Sequence, residues 1–313
     1  MRARELRKWV QLIGGWSRTE RAALKAEMAA LDSVETGIQM IESEPPRCCP
    51  HCSATHVTRN GHANGLQRFK CHSCGATFNT LTGTPLARLR QRGKWIDQAT
   101  ALTTGQSLRQ VARHLNIALS TAHRWRHRFL RQTGQVRSAV LQGIAEADET
   151  YFLHSDKGCR RLSRPPRRRG GKASTRGLAP DLVPVLVARD RSGQTANFIL
   201  PSTRAVDMAQ VLKPILPSDT ILCTDGSSAL ASAAPILGVE HHAINVAAGC
   251  RVNGAWHIQN VNAFDSRLKN WIVRFKGIAT KYLANYLGWF RTIDRSNNIA
   301  SKPALFLTLA IQS

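Results

Sequence analysis

Two aspartates stand where an acid is costly unless chemistry needs it. Asp148 lies inside the apolar run Ile144-Ala-Glu-Ala-Asp-Glu-Thr-Tyr-Phe152, and Asp225 closes Ile221-Leu-Cys-Thr-Asp-Gly226. A carboxylate within an apolar strand needs a cation or a partner. Two of them at strand ends suit a hard divalent ion, and a paired-metal site of this kind activates water and stabilises in-line phosphoryl transfer. Asp-Gly after a strand is also plain turn chemistry, so neither acid decides alone. Glu146 shares a strand face with Asp148 and is a second-tier candidate, whereas Glu149 is expected on the opposite face, outside the site.

A third set lies in His257-Ile-Gln-Asn-Val-Asn-Ala-Phe-Asp-Ser-Arg-Leu-Lys-Asn-Trp271. At helical period Val261, Phe264, Leu268 and Trp271 form a buried stripe, which puts Asn262, Asp265 and Lys269 on a neighbouring face. A carboxamide oxygen such as that of Asn262 can ligate Mg²⁺, more weakly than a carboxylate because it carries no charge.

The cysteines offer different chemistry. Cys49-x-x-Cys52 and Cys71-x-x-Cys74 are two knuckles whose spacing lets four thiolates close a tetrahedron around Zn²⁺, with a hairpin expected between them. Cys48 stands beside Cys49 and could take its place. His51, His56, His62 and His72 read as surface residues. Such ribbons serve DNA-, RNA- and protein-binding proteins alike, so the motif specifies a metal and not a function.

The elements that must position these groups follow from pattern. Ser17-Arg-Thr-Glu20 fits a capping box for a helix running to about Leu31, and Pro45-Pro46 ends that segment. Leu108, Val111, Ala112 and Leu115 give one apolar face to a short helix. Asn116 to Leu119 makes a turn, and Ser120 is placed to cap a second helix through Leu130. On that second helix Ala122, Trp125 and Phe129 face inward. Thr121, His123, Arg124, His127, Arg128 and Arg131 remain outward, a polar and basic set suited to base edges and phosphates in a major groove. The segment with Trp95, Ile96, Ala99 and Leu102 supplies the first helix of this helix-turn-helix.

From Gly143 the texture changes to strand, strand, strand, helix, strand, helix, which suggests an α/β domain with a mixed sheet. The expected class is multidomain α+β. Its parts are an N-terminal helical segment (1–45), a zinc ribbon (46–82), a helix-turn-helix (93–133), an α/β domain (143–295) and a C-terminal tail (296–313). Inside the α/β domain, residues 157–177 form a basic insertion that includes Arg160, Arg161, Arg167, Arg168 and Arg169. It is either a solvated loop or a clamp for phosphates.

Composition bounds the partner. Lys and Arg number 44 against 20 Asp and Glu, a formal charge of +24, which implies a polyanion without naming the activity. No apolar run approaches the ~20 residues of a membrane span, and no signal-peptide core follows the start, so the expected place is the cytoplasm, at the nucleoid, with no membrane partner.

Taken in order, the ribbon, the helix-turn-helix, Ala147-Asp-Glu-Thr-Tyr151, Thr224-Asp-Gly226 and the helix from His257 to Lys269 resemble the ISXO2-like insertion-sequence transposases of the DDE superfamily. The resemblance runs from the ribbon to about Arg291. It implies an RNase H-like catalytic domain in which Asp148 and Asp225 bind Mg²⁺ or Mn²⁺. Many relatives carry Glu at the third position. Asn262 with Lys269 matches the family's variant with two Asp, an Asn and a Lys, which leaves two readings: Asn262 is a working ligand, or this copy is impaired and Asp265, one turn along, partly compensates. The implied activity is cleavage at the terminal inverted repeats of double-stranded DNA and transfer of the freed end to target DNA, by a homodimer or larger assembly. Two rivals stay open: a DNA-binding protein that has lost catalysis, in which Asn262 marks impairment, and an RNase H-like nuclease that cuts without joining.

Overall fold

The computed structural model describes residues 3–42, 45–135, 140–162, 164–167, 171, 173–175, 177–245, 248–295 and 302–311. The chain divides into two compact units, residues 1–129 with 300–313, and residues 130–299.

The first unit opens with α1 (Ala3–Gly14) and α2 (Arg18–Glu42). The Ser17–Glu20 capping box is formed: the Glu20 amide donates to Ser17 Oγ at 3.2 Å, and the Ser17 amide donates to Glu20 Oε2 at 2.8 Å. This helix continues well past Leu31, up to Glu42, because Ile41 at its far end is buried and gives the extra turns something to pack against. Three short antiparallel strands follow, β1 (Val57–Ala63), β2 (Leu66–Cys71) and β3 (Thr77–Asn79), in that order across the sheet.

The three-helix segment is α3 (Trp95–Thr103), α4 (Leu108–His114) and α5 (Leu119–Phe129). A second capping box, Ser107 with Gln110, starts α4. The turn after α4 passes through Asn116 at φ 47°, a left-handed position that Asn tolerates better than most residues. Because α5 begins at Leu119, Ser120 sits in its first turn and does not cap it. Trp95, Ala99, Leu102, Val111, Ala122, Trp125 and Phe129 are all buried, so the apolar stripes meet as the sequence periodicity requires.

Residues 296–313 are more than a tail. They contain α10 (Lys302–Ile311), whose Phe306, Leu307, Leu309 and Ala310 are buried and which packs on α3, α2 and α5. The run Ala304-Leu-Phe-Leu-Thr-Leu-Ala-Ile311 is simply too apolar to remain in solvent.

The second unit is built on five strands: β4 (Ile144–Leu153), β5 (Leu182–Asp190), β6 (Thr195–Ile199), β7 (Ile221–Thr224) and β8 (Glu240–Ala243). They lie in the order β6-β5-β4-β7-β8. β4, β5 and β6 form an antiparallel meander, while β7 and β8 run parallel to β4. Strand alternation sends Ala145, Ala147, Leu186 and Ala188 to one face. There they pack with Met208, Leu212, Leu230 and Ala233 of α6 (Ala205–Leu212) and α7 (Ser228–Leu237). The opposite face carries α8 (Gln259–Val273) and α9 (Leu283–Arg295). Between β8 and α8 a small hairpin forms from β9 (Val252–Asn253) and β10 (Trp256–His257).

α9 lies hard against the backbone at Thr133 and Gly134. A Cβ at Gly288 would overlap the Thr133 carbonyl and stand 2.7 Å from the Gly134 nitrogen. Arg291, one turn on, donates to the Thr133 carbonyl at 2.9 Å and to Asn197 Oδ1. Among the described residues no helix is long and apolar enough to cross a membrane.

Candidate functional site

The site begins with the register of two parallel strands. Glu146 pairs with Cys223 across β4 and β7, so two residues further along Asp148 and Asp225 arrive side by side at the carboxyl end of β7. Ligand sites in open α/β sheets form at that end. Gly226, at φ 86°, lets the chain turn away at once, and the Asp225 carboxylate accepts from the Ser227 amide at 2.9 Å. Oxygens of Asp148, Glu149 and Asp225 all lie within 4.8 Å of one another.

Glu149 overturns an expectation. Alternation puts it on the face opposite Asp148, yet β7 ends at Thr224 and the Asp225–Ser227 turn reaches around the sheet. Ser227 Oγ donates to Glu149 Oε1 at 3.1 Å, which draws the carboxylate into the cluster. Period-two reasoning fails where the neighbouring strand stops.

Electrostatics agree with crowding. Burial, then the nearby Asp225 charge, pushes Asp148 up to about 6, although the Glu149 amide and Lys269 pull the other way. Burial also raises Glu149, against the Ser227 hydrogen bond and with the charge of Asp225 adding to it. Tyr151 is raised by burial and by the same three carboxylates. An all-oxygen, acidic donor set of this kind fits a hard divalent cation, which would relieve the repulsion the acids impose on each other.

α8 supplies the facing side. Val261, Phe264, Leu268 and Trp271 are buried as the stripe requires. Asn262 and Lys269 are exposed, but Asp265, expected on their face, is buried. Burial and the Asp148 charge push Asp265 up to about 7, with Lys269 opposing.

Glu146 has a different task from the second-tier acid expected of it. Its fully buried carboxylate accepts from the Asn260 and Val261 amides at 2.7 and 2.9 Å and from Asn260 Nδ2 at 2.9 Å. Arg191 Nη1 lies 2.9 Å away and His257 Nδ1 3.3 Å. The acid thus ties down the first turn of α8, where free amides and the helix dipole favour negative charge. Arg191 and Asn260 were invisible as partners in the sequence, because nothing in the spacing links the β5–β6 turn to the start of α8.

The four-cysteine cluster lies in the first unit. Sγ atoms of Cys49 and Cys74 are 3.7 Å apart and those of Cys52 and Cys71 3.6 Å, with all four within 4.8 Å. A Zn²⁺ tetrahedron with ~2.3 Å bonds has edges of about 3.8 Å, so the thiols are spaced for that ion. The two knuckles repeat one design. Ser53 donates to the Cys49 carbonyl and Gly75 to that of Cys71, both from left-handed backbone at φ 61° and 72°. The Cys74 and Ser73 amides pull the Cys71 thiol down to about 6, against its burial. Cys48 is exposed and outside the cluster.

On α5, His123, Arg124 and Arg128 are exposed, and Thr121 and His127 are half-buried. Arg128 donates to the Pro85 carbonyl at 2.8 Å and is therefore partly committed within the fold. In the basic insertion, Arg167 pairs with Asp181 at 2.6 Å and donates to the His154 carbonyl, so it braces the loop. Arg168 and Arg169 lie outside the described residues. Past the acids, β4 and α8 border an open groove of about 1040 Å³ whose wall includes His154, Lys157, Arg164 and Lys276.

Comparison with known proteins gives two family matches. Residues 86–137 match the family model of a homeodomain-like domain, and residues 140–291 that of the ISXO2-like transposase domain. No curated protein matches the chain. Among solved structures, a pre-cleavage Mos1 transpososome is 14% identical, with 69% of this chain and 77% of that chain covered and a TM-score of 0.22. A Mos1 transposase paired-end complex with the left transposon end is 15% identical, covering 67% and 78%, with a TM-score of 0.23. A Mos1 mariner paired-end complex with Mn is 14% identical, covering 67% and 76%, with a TM-score of 0.21. Over residues 140–291, just under half of its length, the chain is similar to the ISXO2-like transposase domain family.

Proposed function

We propose that the protein is a DNA transposase that binds the terminal repeats of its element, cuts at their ends and joins the freed strand to target DNA. The carrying observation is the register that brings Asp148 and Asp225 together at the end of adjacent parallel strands, with Glu149 in reach and α8 opposite. The strand order and directions, β6-β5-β4-β7-β8, support an RNase H-like reading of this domain.

Asp148 and Asp225 would hold Mg²⁺ or Mn²⁺, with Asn262 as a neutral oxygen donor from α8. When bound, such ions supply a lowered water pKa and charge stabilisation at the scissile phosphate. Glu146, by anchoring the first turn of α8, would fix the helix that carries Asn262 and Lys269. Lys269, exposed and near enough to Asp148 to lower its pKa, is placed to hold a phosphate oxygen as a point charge. The basic groove between the ends of β4 and α8 would carry the strand away, with Lys157 and Lys276 on its wall.

The four cysteines would hold one structural Zn²⁺. Residues Thr121, His123, Arg124, His127 and Arg128 of α5 would read the repeat, with the exposed Arg124 expected to reach a base edge. Joining two ends calls for a homodimer or larger assembly.

An in vitro reaction tests the reading. Purified protein, a duplex of the element's own end and supercoiled target should give nicked end and joined product with Mg²⁺ and neither with EDTA. Cleavage without joined product would favour a nuclease. Tight binding without cleavage would favour a DNA-binding protein that has lost catalysis.

A further inference from the structure

We propose that Asp265 supplies a further carboxylate, from the helix side, to the divalent-metal site beside Asp148, with Asn262 as its neutral companion. This inference rests on the metal-dependent reading just given.

α8 and β4 lie side by side and run the same way. At one end Glu146 meets the amides of Asn260 and Val261. At the other, Lys157 Nζ, past the end of β4, donates to the carbonyls of Phe275, Lys276 and Gly277, past the end of α8. Moving from Glu146 to Asp148 advances two residues, roughly 6.6 Å at strand rise. Moving the same distance from Asn260 and Val261 takes between four and five helical residues at ~1.5 Å each, which arrives at Asp265. The helix therefore sets Asp265 alongside Asp148, which is the first charged group acting on it.

Burial makes the placement informative. Asp265 is 5% exposed, it is surrounded along the helix by the apolar stripe, and its Oδ1 has no hydrogen-bond partner. A buried, unpartnered carboxylate oxygen is costly, and a leucine in that place would extend the stripe at no such cost. The cost has a use if a cation completes the environment. Asp265 stands outside the 4.8 Å cluster of Asp148, Glu149 and Asp225, so it would close on an ion from the helix side. Charge counting points the same way. Asp148, Glu149 and Asp225 bring three negative charges to a pair of divalent ions, and Asp265 brings a fourth.

Mn²⁺ titration of the full-length protein, followed by the EPR signal of free Mn²⁺, tests this without a turnover assay. Parent, Asp265→Asn, Asp265→Glu, Asn262→Ala and Asp148→Asn are compared, with zinc content and melting temperature measured in the absence of Mn²⁺. Asp265→Asn is expected to weaken Mn²⁺ binding at least tenfold, keep its zinc, and melt no lower than the parent, with part of the affinity restored in Asp265→Glu. Parent-like Mn²⁺ binding in Asp265→Asn, with Asp148→Asn weakened, overturns the inference and leaves the transposase reading intact. Parent-like binding in Asp148→Asn as well contradicts the metal site itself. An Asp265→Asn protein that is unfolded without Mn²⁺ and not rescued by Asp265→Glu assigns Asp265 a structural role and also overturns the inference.

Discussion

Replacing Glu146 by alanine should loosen α8 from the sheet before it affects anything else. The carboxylate is fully buried and holds two helix amides, one carboxamide and the Arg191 guanidinium, with His257 close by. Removing one partner of a buried ion pair costs about 3–5 kcal/mol, and each buried amide left without an acceptor costs about 1–3 kcal/mol. These contributions overlap. Arg191 is also 28% exposed at its side chain and can recover some solvent, so the total should fall near 4 kcal/mol. That is a large share of the ~5–15 kcal/mol that holds a typical domain together. Glu146→Gln keeps shape and one acceptor but loses the charge, and should cost about half as much. Urea unfolding gives the total for the second unit, and hydrogen exchange of peptides covering residues 257–268 reports the anchor directly. Faster exchange confined first to those peptides is expected. Parent-like stability and parent-like exchange in Glu146→Ala would refute the anchoring role, however the acids themselves behave.

Three further changes probe other parts of the molecule. Gly288→Ala forces a methyl into the Thr133 carbonyl, and because both sides of that contact are backbone it should cost at least ~2 kcal/mol, read as a lower urea midpoint. A parent-like midpoint would show that α9 does not approach residues 133–134 so closely. Cys71→Ser should take the zinc content from about one per chain to none and expose the ribbon to protease, since classical zinc modules lose their fold with the metal; retained zinc would refute the four-ligand set. Arg124→Ala should weaken binding to the terminal repeat by roughly 1–3 kcal/mol while changing affinity for random DNA less at fixed salt, if this arginine reads a base. Equal loss on both would make it a phosphate contact, and no loss on either would remove α5 from the interface.

Much of this architecture was legible in the chain because its signals are local. The cysteine pairs, the Ser17–Glu20 capping box, the α3–α5 stripes and the Val261–Trp271 stripe depend on short spacings, and each corresponds to an element found in the fold. What escaped depends on the ends of elements and on distant partners. Alternation puts Glu149 opposite Asp148, but the parity of a strand says nothing about where its neighbour stops and what then reaches around it. Spacing alone groups Asp265 with Asn262 and Lys269, since three and four residues apart on a helix look equivalent until the sheet fixes which side is buried. Glu146 stands out in the chain as an acid within an apolar strand, but no local spacing links it to Arg191 and the start of α8. The last segment read as a tail because its place against α3 exists only after the chain has folded back. Arg167 and Arg128 looked like free cations, and only the fold shows Asp181 and the Pro85 carbonyl already using them.

The central claim is that Asp148 and Asp225 form the metal-dependent cutting site of a DNA-joining enzyme. The most direct measurement compares parent and Asp148→Asn on a labelled duplex of the element's end, in Mg²⁺, scoring binding by mobility shift and product by denaturing gel. Asp148→Asn retains the side-chain volume and leaves the cysteine cluster and α5 untouched. Unchanged binding with cleavage and joining reduced by at least ~10³-fold is the predicted result, an order of magnitude in line with ~4 kcal/mol of lost transition-state stabilisation. Cleavage at the parent rate in Asp148→Asn would contradict the account.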